Sequence, residues 1–352
     1  MTRLTEAEAL ELLRSHDLLK VGAQAQAVRE RLVPGELATF IIDRNINYTN
    51  VCISGCRFCA FYCRPGAPEA FVLSREEIYE KIRETLDLGG TAVMMQGGLH
   101  PDLGIEYFED LFSSIKERFP VTIHSLSAPE IAHLARISDL TIAETIRRLK
   151  AAGLDSLPGG GAEILVDRVR EQAAPGKANT RMWLEVMREA HRQGVPSTAT
   201  MMFGSVETLE DRVAHLRAIR DLQDETGGFR AFIPWSFQSR HTSLEGEVDE
   251  ATGIDYLMTL AVSRLYLDNV PHIQASWVTQ GLKMGQIALR FGADDLGSTM
   301  IEENVVAATG IHVKANRDDL VGAIRGAGFV PAQRRTDYSL VRMFPRHGSS
   351  SF

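Results

Sequence analysis

Short apolar segments alternate with helical segments along most of this chain. Most of these apolar segments contain β-branched residues and precede a segment with helical spacing. The predicted strands are residues 38–42, 91–96, 121–124, 154–157, 197–202, 229–234, 272–275 and 292–294. Eight such units over about 250 residues predict an α/β fold, a (β/α)8 barrel of the TIM type. An open doubly wound sheet is the alternative, because sequence alone does not show closure.

The two ends of the chain lie outside this alternation. Residues 1–37 are predicted to form an N-terminal helical segment, in which Thr5 caps a run of leucines and alanines at helical spacing. Residues 38–315 are predicted to form the barrel. Residues 316–352 are predicted to be a C-terminal extension that closes the barrel mouth, with a flexible tail from His347 to Phe352.

The charge and hydropathy of the chain exclude several classes of protein. The 352 residues carry a formal net charge of −8, which argues against a nucleic-acid backbone as the main partner. There is no run of about eighteen apolar residues, so no membrane span is expected. The first residues are acidic and amphipathic, unlike a secretory signal or a transit peptide. We therefore expect a cytoplasmic protein.

All four cysteines of the chain lie close together, just after the first predicted strand. Cys52, Cys56 and Cys59 stand in a C-x3-C-x2-C pattern, and Cys63 follows. Thiols clustered in one short loop cannot form the disulfide framework of a domain this large, so metal binding is favoured. The carboxyl end of a strand is also where α/β barrels hold their reactive groups.

Three kinds of metal centre are compatible with this loop. A structural zinc site would use Cys63 as its fourth ligand, although zinc sites usually combine two C-x2-C pairs far apart in sequence. A cluster bound by all four thiolates would make the chain a non-catalytic iron–sulfur electron-transfer protein. A 4Fe-4S cluster held by Cys52, Cys56 and Cys59 would leave one iron open to another ligand. The spacing favours this last interpretation.

The cysteine pattern resembles the signature of the radical S-adenosylmethionine (SAM) superfamily. In Cys52-x3-Cys56-x-Phe58-Cys59, both the spacing and the aromatic residue match that signature. The resemblance implies that the open iron chelates the amine and carboxylate of the methionine part of SAM. It further implies that the reduced cluster passes one electron to the sulfonium, which releases a 5′-deoxyadenosyl radical beside the substrate. Cys63 is then a spare thiol.

The resemblance also implies roles for residues at other strand ends. The turn Gln96-Gly97-Gly98 matches the turn whose backbone binds the methionine amine, and an ordinary turn with positive φ is the alternative. Phe58 is expected near the adenine. Ser125 and Glu163 are expected to bind the carboxylate or the ribose hydroxyls of SAM, although Glu163 could equally stabilise a helix N-terminus.

Further motifs resemble one branch of the superfamily. They include Arg57-Phe58-Cys59-Ala60-Phe61-Tyr62, Pro158-Gly159-Gly160-Gly161-Ala162-Glu163 and Pro234-Trp235-Ser236-Phe237-Gln238. This branch contains the menaquinone futalosine-pathway enzymes and the deazaflavin-forming enzymes. Within it, the chain is most similar to the family of cyclic dehypoxanthine futalosine synthases. Aminofutalosine synthases and the deazaflavin (F420-precursor) synthases are the alternatives.

That family implies a defined reaction on a small, nucleoside-derived substrate. The sugar of dehypoxanthine futalosine loses its 4′ hydrogen to the radical, and the resulting carbon radical attacks the benzoate ring. Loss of one electron and one proton then gives the cyclic product. The resemblance also implies a flavodoxin or a ferredoxin as the reductant.

The substrate-binding residues are predicted only from their position. Gln238, Arg240 and Thr242 follow the sixth predicted strand, and they are candidates for binding the benzoate carboxylate and the sugar hydroxyls. The final proton transfer needs a base, and a neutral histidine or a carboxylate would serve. The candidates for that base are His124, Glu163 and His241.

Overall fold

The computed structural model describes residues 3–33 and 35–345, so the predicted flexible tail from His347 to Phe352 lies outside the described residues. The helices are α1 (Glu6–Arg14), α2 (Leu18–Leu32), α3 (Arg75–Asp87), α4 (Ile105–Arg118), α5 (Ala128–Ile137), α6 (Ile142–Ala152), α7 (Asp167–Ala173), α8 (Thr180–Arg192), α9 (Leu209–Thr226), α10 (Gly253–Tyr266), α11 (Trp277–Gln280), α12 (Leu282–Ala288) and α13 (Arg317–Gly326). The strands are β1 (Leu37–Ile41), β2 (Asp43–Ile46), β3 (Ala92–Met95), β4 (Thr122–Ser125), β5 (Ser197–Phe203), β6 (Phe229–Ser236), β7 (His272–Ile273), β8 (Asp295–Ser298), β9 (Val330–Arg334) and β10 (Leu340–Met343).

Parallel strands pair around a closed circuit. β2 pairs with β3 and β3 with β4, while β5, β6 and β7 pair in that order. β8 pairs with β1, which leads directly into β2. Single parallel bridges complete the circuit: His124 with Ser156, Leu157 with Ser197, and Gln274 with Asp295. The predicted (β/α)8 barrel is therefore confirmed in preference to an open sheet.

The strand boundaries differ from the prediction at three places. The first strand is interrupted at Ile42 and continues to Ile46, because its first half pairs with β8 and β9 and its second half with β3. The eighth strand begins at Asp295, just after the predicted segment 292–294. Segment 154–157 contributes single bridges at Ser156 and Leu157 rather than a regular strand.

The helices surround the strands because their apolar faces are buried against them. α3 begins at a capping box: the Glu77 N–H donates to Ser74 Oγ at 3.3 Å, and the Ser74 N–H donates to the Glu77 carboxylate at 2.8 Å. Ile78 and Ile82, four positions apart, lie on one face of α3 and are completely buried. No helix among the described residues is long and apolar enough to cross a membrane.

The C-terminal extension belongs to the barrel sheet. β9 pairs in parallel with the start of β1, from Leu37 with Val330 to Phe40 with Gln333, and β10 returns antiparallel to β9. Residues 334–338 therefore enter the barrel at the end where the strands begin. The extension closes this base, and the prediction that it closes the mouth is wrong. We propose that the N-terminal segment ends at residue 37 and that the C-terminal extension begins at residue 316, since β1 and α13 begin close to these positions.

Candidate active site

The cysteine loop follows β2 at the mouth of the barrel, the end at which the strands finish. Backbone pairing joins its two ends: the Cys52 N–H donates to the Cys63 carbonyl at 2.9 Å, and the Cys63 N–H donates to the Asn50 carbonyl at 2.9 Å. Cys63 is thus part of the backbone pairing that closes the loop, and it is buried there. The other three cysteines lie on the segment enclosed by this pairing.

Each sulfur of the C-x3-C-x2-C pattern takes part in a hydrogen bond. The Ser54 N–H donates to Cys52 Sγ at 3.4 Å, and Ser54 Oγ lies 3.1 Å from Cys56 Sγ. Backbone hydrogen bonds from Phe61 and Tyr62 act on the Cys59 sulfur. Hydrogen bonds to sulfur are one of the means by which proteins tune iron–sulfur clusters. The chemistry of this donor set therefore fits a cluster held by three thiolates.

Within residues 3–33 and 35–345, no three His, Cys, Asp or Glu side chains form a group that could hold a metal ion. The three cysteines nevertheless share one short loop, so a cluster would be held by a single segment of the chain.

The Gly97-Gly98 turn, which follows β3, packs directly on the start of the cysteine loop. A Cβ on Gly97 would lie 2.6 Å from the Tyr48 ring, and a Cβ on Gly98 would lie 2.1 Å from the Val51 carbonyl oxygen. Neither glycine has a positive φ. Close approach of the two backbones, and not the turn conformation, therefore explains why glycine stands at both positions.

Glu130, which the sequence analysis did not single out, binds this turn from the side of α5. Its Oε1 accepts hydrogen bonds from the Gly97 N–H at 2.9 Å and the Tyr48 hydroxyl at 2.8 Å. Its Oε2 accepts from the N–H and the hydroxyl of Ser127, at 2.7 and 2.5 Å. Burial raises the pKa of Glu130, while these donors act to lower it. The Ser127-x-x-Glu130 spacing is a capping-box signal that could have predicted α5.

Glu163, Lys177 and Phe58 form one cluster at the mouth. Lys177 Nζ donates to Glu163 Oε1 at 2.9 Å and lies 5.1 Å from the centroid of the Phe58 ring. Glu163 Oε2 lies 3.6 Å from an Arg170 nitrogen and accepts no hydrogen bond within the described chain. Burial lowers the pKa of Lys177, but Glu163 and Cys56 raise it above its ordinary value. Lys177 was missed because it belongs to no recognisable motif.

A cavity with a volume of about 280 Å³ extends from Glu163 into the barrel. Pockets for one small ligand usually measure about 300–1,000 Å³, so this volume is close to the lower end of that range. From the mouth to the base, its lining includes Gln96, Gly160, Glu163, Trp235, Trp277, His124, Thr336 and Tyr338.

Two family models match the parts of the chain that build this site. The radical SAM superfamily matches residues 46–219, which include the cysteine loop and the glycine turn. The CofH/MqnC C-terminal region matches residues 226–347, which include the base of the cavity. The chain belongs to the radical SAM superfamily. Its three-cysteine pattern and its barrel are those expected of a radical SAM enzyme.

Relatives of the radical SAM branch match nearly the whole chain. The cyclic dehypoxanthine futalosine synthase of Streptomyces coelicolor is 51% identical, covering 96% of this chain and 85% of that enzyme. The corresponding synthase of Halalkalibacterium halodurans is 46% identical, covering 97% and 92%. The aminodeoxyfutalosine synthase of Thermus thermophilus is 39% identical, covering 98% and 94%. The chain is therefore a member of the branch that contains these synthases.

Solved structures show the same fold. The FeFe-hydrogenase maturase HydG from Carboxydothermus hydrogenoformans superimposes with a TM-score of 0.79, covering 96% of this chain and 77% of that chain. Methylornithine synthase (PylB) superimposes with a TM-score of 0.71 over 94% and 95%. Their sequence identities, 17% and 19%, are too low to compare activities, so these structures support the radical SAM barrel alone.

The loop after β6 does not bring its predicted substrate-binding residues to the cavity of this radical SAM barrel. The Gln238 amide donates to Ser236 Oγ at 2.9 Å, and the Thr242 hydroxyl donates to the Ser239 carbonyl at 2.6 Å. Arg240 is exposed to solvent outside the cavity. The loop satisfies its own polar groups instead, so these three side chains are not placed to contact a ligand there.

Two other predicted residues also lie away from the cavity. His241 is exposed, and its Nδ1 lies 3.0 Å from the Ala308 carbonyl oxygen. Ser125 is completely buried, and its hydroxyl donates to the Met95 carbonyl at 2.8 Å. Ser125 is turned into the neighbouring strand because alternate residues of a strand face opposite sides, which the sequence pattern did not resolve for so short a strand.

Two titratable groups face the inner part of the cavity. His124, which was predicted, has its Nδ1 2.7 Å from Ser156 Oγ, and burial lowers its pKa to about 3. Asp43, which was missed, accepts a hydrogen bond from the Ser298 hydroxyl, and burial raises its pKa. At neutral pH, His124 is therefore an uncharged imidazole. Asp43 was missed because it lies where the first strand was predicted to have ended.

Proposed function

We propose that this radical SAM enzyme converts dehypoxanthine futalosine into cyclic dehypoxanthine futalosine in menaquinone biosynthesis. The observation that carries this function is the full-length similarity to two cyclic dehypoxanthine futalosine synthases. A cavity inside the barrel, lined by Gln96 and Glu163 at its mouth, supports it. The relatives with other activities, including the aminodeoxyfutalosine synthase, are less similar to the chain.

Residues at the mouth are proposed to hold the cluster and SAM. Cys52, Cys56 and Cys59 would bind three irons, and the Gln96-Gly97-Gly98 turn would bind the methionine amine. The Gly97 carbonyl accepts no hydrogen bond within the described residues, so it is available to an ammonium donor. When bound, the reduced cluster and SAM supply the 5′-deoxyadenosyl radical that abstracts the sugar 4′ hydrogen.

Glu163 and Phe58 are proposed to bind the adenosine part of SAM. Glu163 Oε2, which accepts no hydrogen bond within the described residues, is an acceptor for ribose hydroxyls. Glu163 also has a φ of 41°, a conformation that residues other than glycine adopt mainly where surrounding contacts enforce it. Lys177 and Arg170 hold this carboxylate from the other side, so they orient it toward the cavity. Phe58 would lie near the adenine.

The sugar radical would then attack the benzoate ring, and the resulting ring radical would lose one proton to a base and one electron to the oxidised cluster. We favour Asp43 over His124 as the group that accepts this proton. An imidazole with a pKa of about 3 is a weak base, whereas a carboxylate whose pKa is raised by burial accepts a proton more readily. Glu163 is already paired with Lys177, and His241 lies outside the cavity.

We also propose an electron donor for the cluster and a cellular location for the enzyme. A flavodoxin or a ferredoxin would donate the electron at the outer face of the cysteine loop, where Ile53 is 47% exposed. An exposed apolar side chain beside the cluster is a suitable contact for a small electron-transfer protein. We propose that the enzyme acts in the cytoplasm.

An anaerobic turnover assay tests this function. Enzyme with a reconstituted cluster is reduced and incubated with SAM and dehypoxanthine futalosine. We expect cyclised product together with an equal amount of 5′-deoxyadenosine, and we expect neither from Cys56→Ala. Turnover of enolpyruvyl benzoate or of a deazaflavin precursor in place of dehypoxanthine futalosine would overturn the proposal. A reduced cluster whose spin signal does not respond to SAM would instead indicate a non-catalytic electron carrier.

A further inference from the structure

The base of the cavity carries buried hydroxyl groups that have no partner. Thr336 and Tyr338 lie between β9 and β10, and both line the cavity. Thr336 Oγ1 and Tyr338 Oη are buried, and neither has a hydrogen-bond partner within the described residues. Buried polar groups in native proteins are nearly always satisfied. Two unpaired hydroxyls in one cavity therefore point to a ligand with hydrogen-bonding groups at this end.

Tyr338 is held firmly by its neighbours. The His272 imidazole stacks on its ring at 3.7 Å between centroids and an angle of 3°, and the Arg334 guanidinium lies 4.0 Å from its centroid. At these distances, the imidazole and the guanidinium must lie on opposite faces of the Tyr338 ring. Arg334 is itself fixed by Asp295, with contacts of 2.5 and 2.9 Å. The ring is thus clamped, and its hydroxyl is presented in a defined position.

Arg230 supplies a positive charge at the base of the barrel, near Thr336. It is a bulged residue, because Ser197 pairs with Phe229 and Thr198 with Ala231. One Arg230 nitrogen lies 3.5 Å from the Thr336 carbonyl oxygen. Burial is the main cause of the lowered pKa of His124, and the positive charge of Arg230 is the second. Arg230 therefore lies beside both the hydroxyl groups and the histidine.

Arg230 lies near the base of the cavity without lining it, and Asp337 and Asp155 are the acids that act on its charge. Across residues 3–33 and 35–345, it forms no ion pair within 4.0 Å, although burial lowers its pKa. Arg334 is paired with Asp295 and Lys177 with Glu163. The acids nearest to Arg230 have other partners: Asp155 binds Lys116, and Asp337 binds Ser339. A half-buried guanidinium without a counter-ion favours an anionic ligand.

We propose that the base of the barrel binds the benzoate carboxylate of the substrate, through the hydroxyls of Thr336 and Tyr338, with Arg230 as the positive charge behind Thr336. A carboxylate has about four acceptor positions, so it suits a site that presents several donors. The inference rests on the proposed function, since it takes dehypoxanthine futalosine as the substrate.

The depth of the cavity agrees with this orientation. In the pairing of β5 with β6, Thr198 lies opposite Ala231, and Met202 lies opposite Trp235. The Met202 N–H donates to the Glu163 carbonyl, so the level of Met202 is that of the mouth cluster. Four strand residues, roughly 13 Å, separate the two levels. A carboxylate anchored at the base would leave the sugar between the benzoate ring and the cofactor at the mouth.

Steady-state kinetics with two substrates tests the inference. The two substrates are dehypoxanthine futalosine and the analogue in which a carboxamide replaces the carboxylate. We expect Arg230→Gln to raise KM for the acid by about 10- to 100-fold, with a much smaller change in kcat, because a charge-assisted contact is lost. We expect Tyr338→Phe and Thr336→Val, which remove only one hydroxyl each, to raise KM by about 3- to 10-fold.

The amide substrate distinguishes recognition of charge from a structural effect. Wild-type enzyme should favour the acid over the amide by about 10- to 100-fold, and Arg230→Gln should lose most of that preference. Arg181→Gln, which changes an exposed arginine of α8, is the matched control. Dissociation constants for both substrates, measured without reductant, provide a second readout that does not depend on turnover.

The two proposals fail in different ways. An unchanged preference for the acid in Arg230→Gln would overturn the carboxylate site. If Arg230→Gln does not fold, unchanged KM and Kd in Tyr338→Phe and Thr336→Val would overturn it. Absence of cyclised product from wild-type enzyme would overturn the proposed function instead.

Discussion

Replacement of Glu130 should loosen the contact between the glycine turn and the cysteine loop. The carboxylate accepts four hydrogen bonds, two from Ser127 and one each from Gly97 and Tyr48. Glu130→Ala leaves the Gly97 N–H and the Tyr48 hydroxyl buried without a partner, at about 1–3 kcal/mol each. It also removes a capping interaction worth about 1 kcal/mol. We expect the free energy of unfolding to fall by about 3–7 kcal/mol.

Glu130→Gln preserves the shape of the side chain and isolates the effect of its oxygens. An amide has one acceptor oxygen, so its NH2 group must face either the Ser127 donors or the Gly97 and Tyr48 donors. We expect a smaller loss of stability, about 1–2 kcal/mol. Because Gly97 is proposed to bind the methionine amine, a displaced turn should also weaken SAM binding about tenfold, which corresponds to about 1.4 kcal/mol.

Two measurements check this reasoning. Denaturant unfolding gives the change in stability, and titration of the reconstituted enzyme with SAM gives the change in affinity. Glu117→Ala, at an exposed position of α4, is the control for loss of a glutamate. The four hydrogen bonds would have no energetic role if Glu130→Ala unfolded within about 0.5 kcal/mol of wild type. Unchanged SAM affinity in both variants would refute the link to the cofactor.

The remaining predictions concern the cysteine loop and acid stability. Cys63→Ala should retain its iron and a spin signal that changes with SAM; iron loss equal to that of Cys56→Ala would make Cys63 a ligand. Gly98→Ala should lose most of its cluster iron, since its Cβ would lie 2.1 Å from the Val51 carbonyl oxygen; normal iron content would contradict this. Burial lowers the pKa of His215 to about 3, so between that value and its unfolded pKa of about 6.5 the unfolded chain binds a proton that the folded chain does not. The free energy of unfolding should therefore fall by about 2 kcal/mol from this group between about pH 7.5 and pH 5. Denaturant unfolding at several pH values checks this: His215→Phe should lose that part of the dependence of the free energy of unfolding on pH. An unchanged pH dependence would contradict the prediction.

The sequence by itself was sufficient to predict the barrel and a metal centre in the cysteine loop, because both predictions depend on local information. Strand and helix periods are read within a few residues, and turn residues mark where each segment ends. Cys52, Cys56 and Cys59 lie within one loop, so their spacing alone predicts a shared metal centre. Glu163 and the glycine turn were recognised because they belong to short contiguous motifs at strand ends.

Only the tertiary structure decided which side chains share the cavity. Ser125 and Gln238 were predicted at strand ends, but strand register and loop hydrogen bonds turn them away. Conversely, Asp43 and Tyr338 come from β2 and from the C-terminal extension, and no local pattern relates two such distant segments. They meet because β9 adds to the sheet beside β1 and carries residues 334–338 into the base. That pairing depends on long-range packing, and it converts an unremarkable tail into the inner wall of the site.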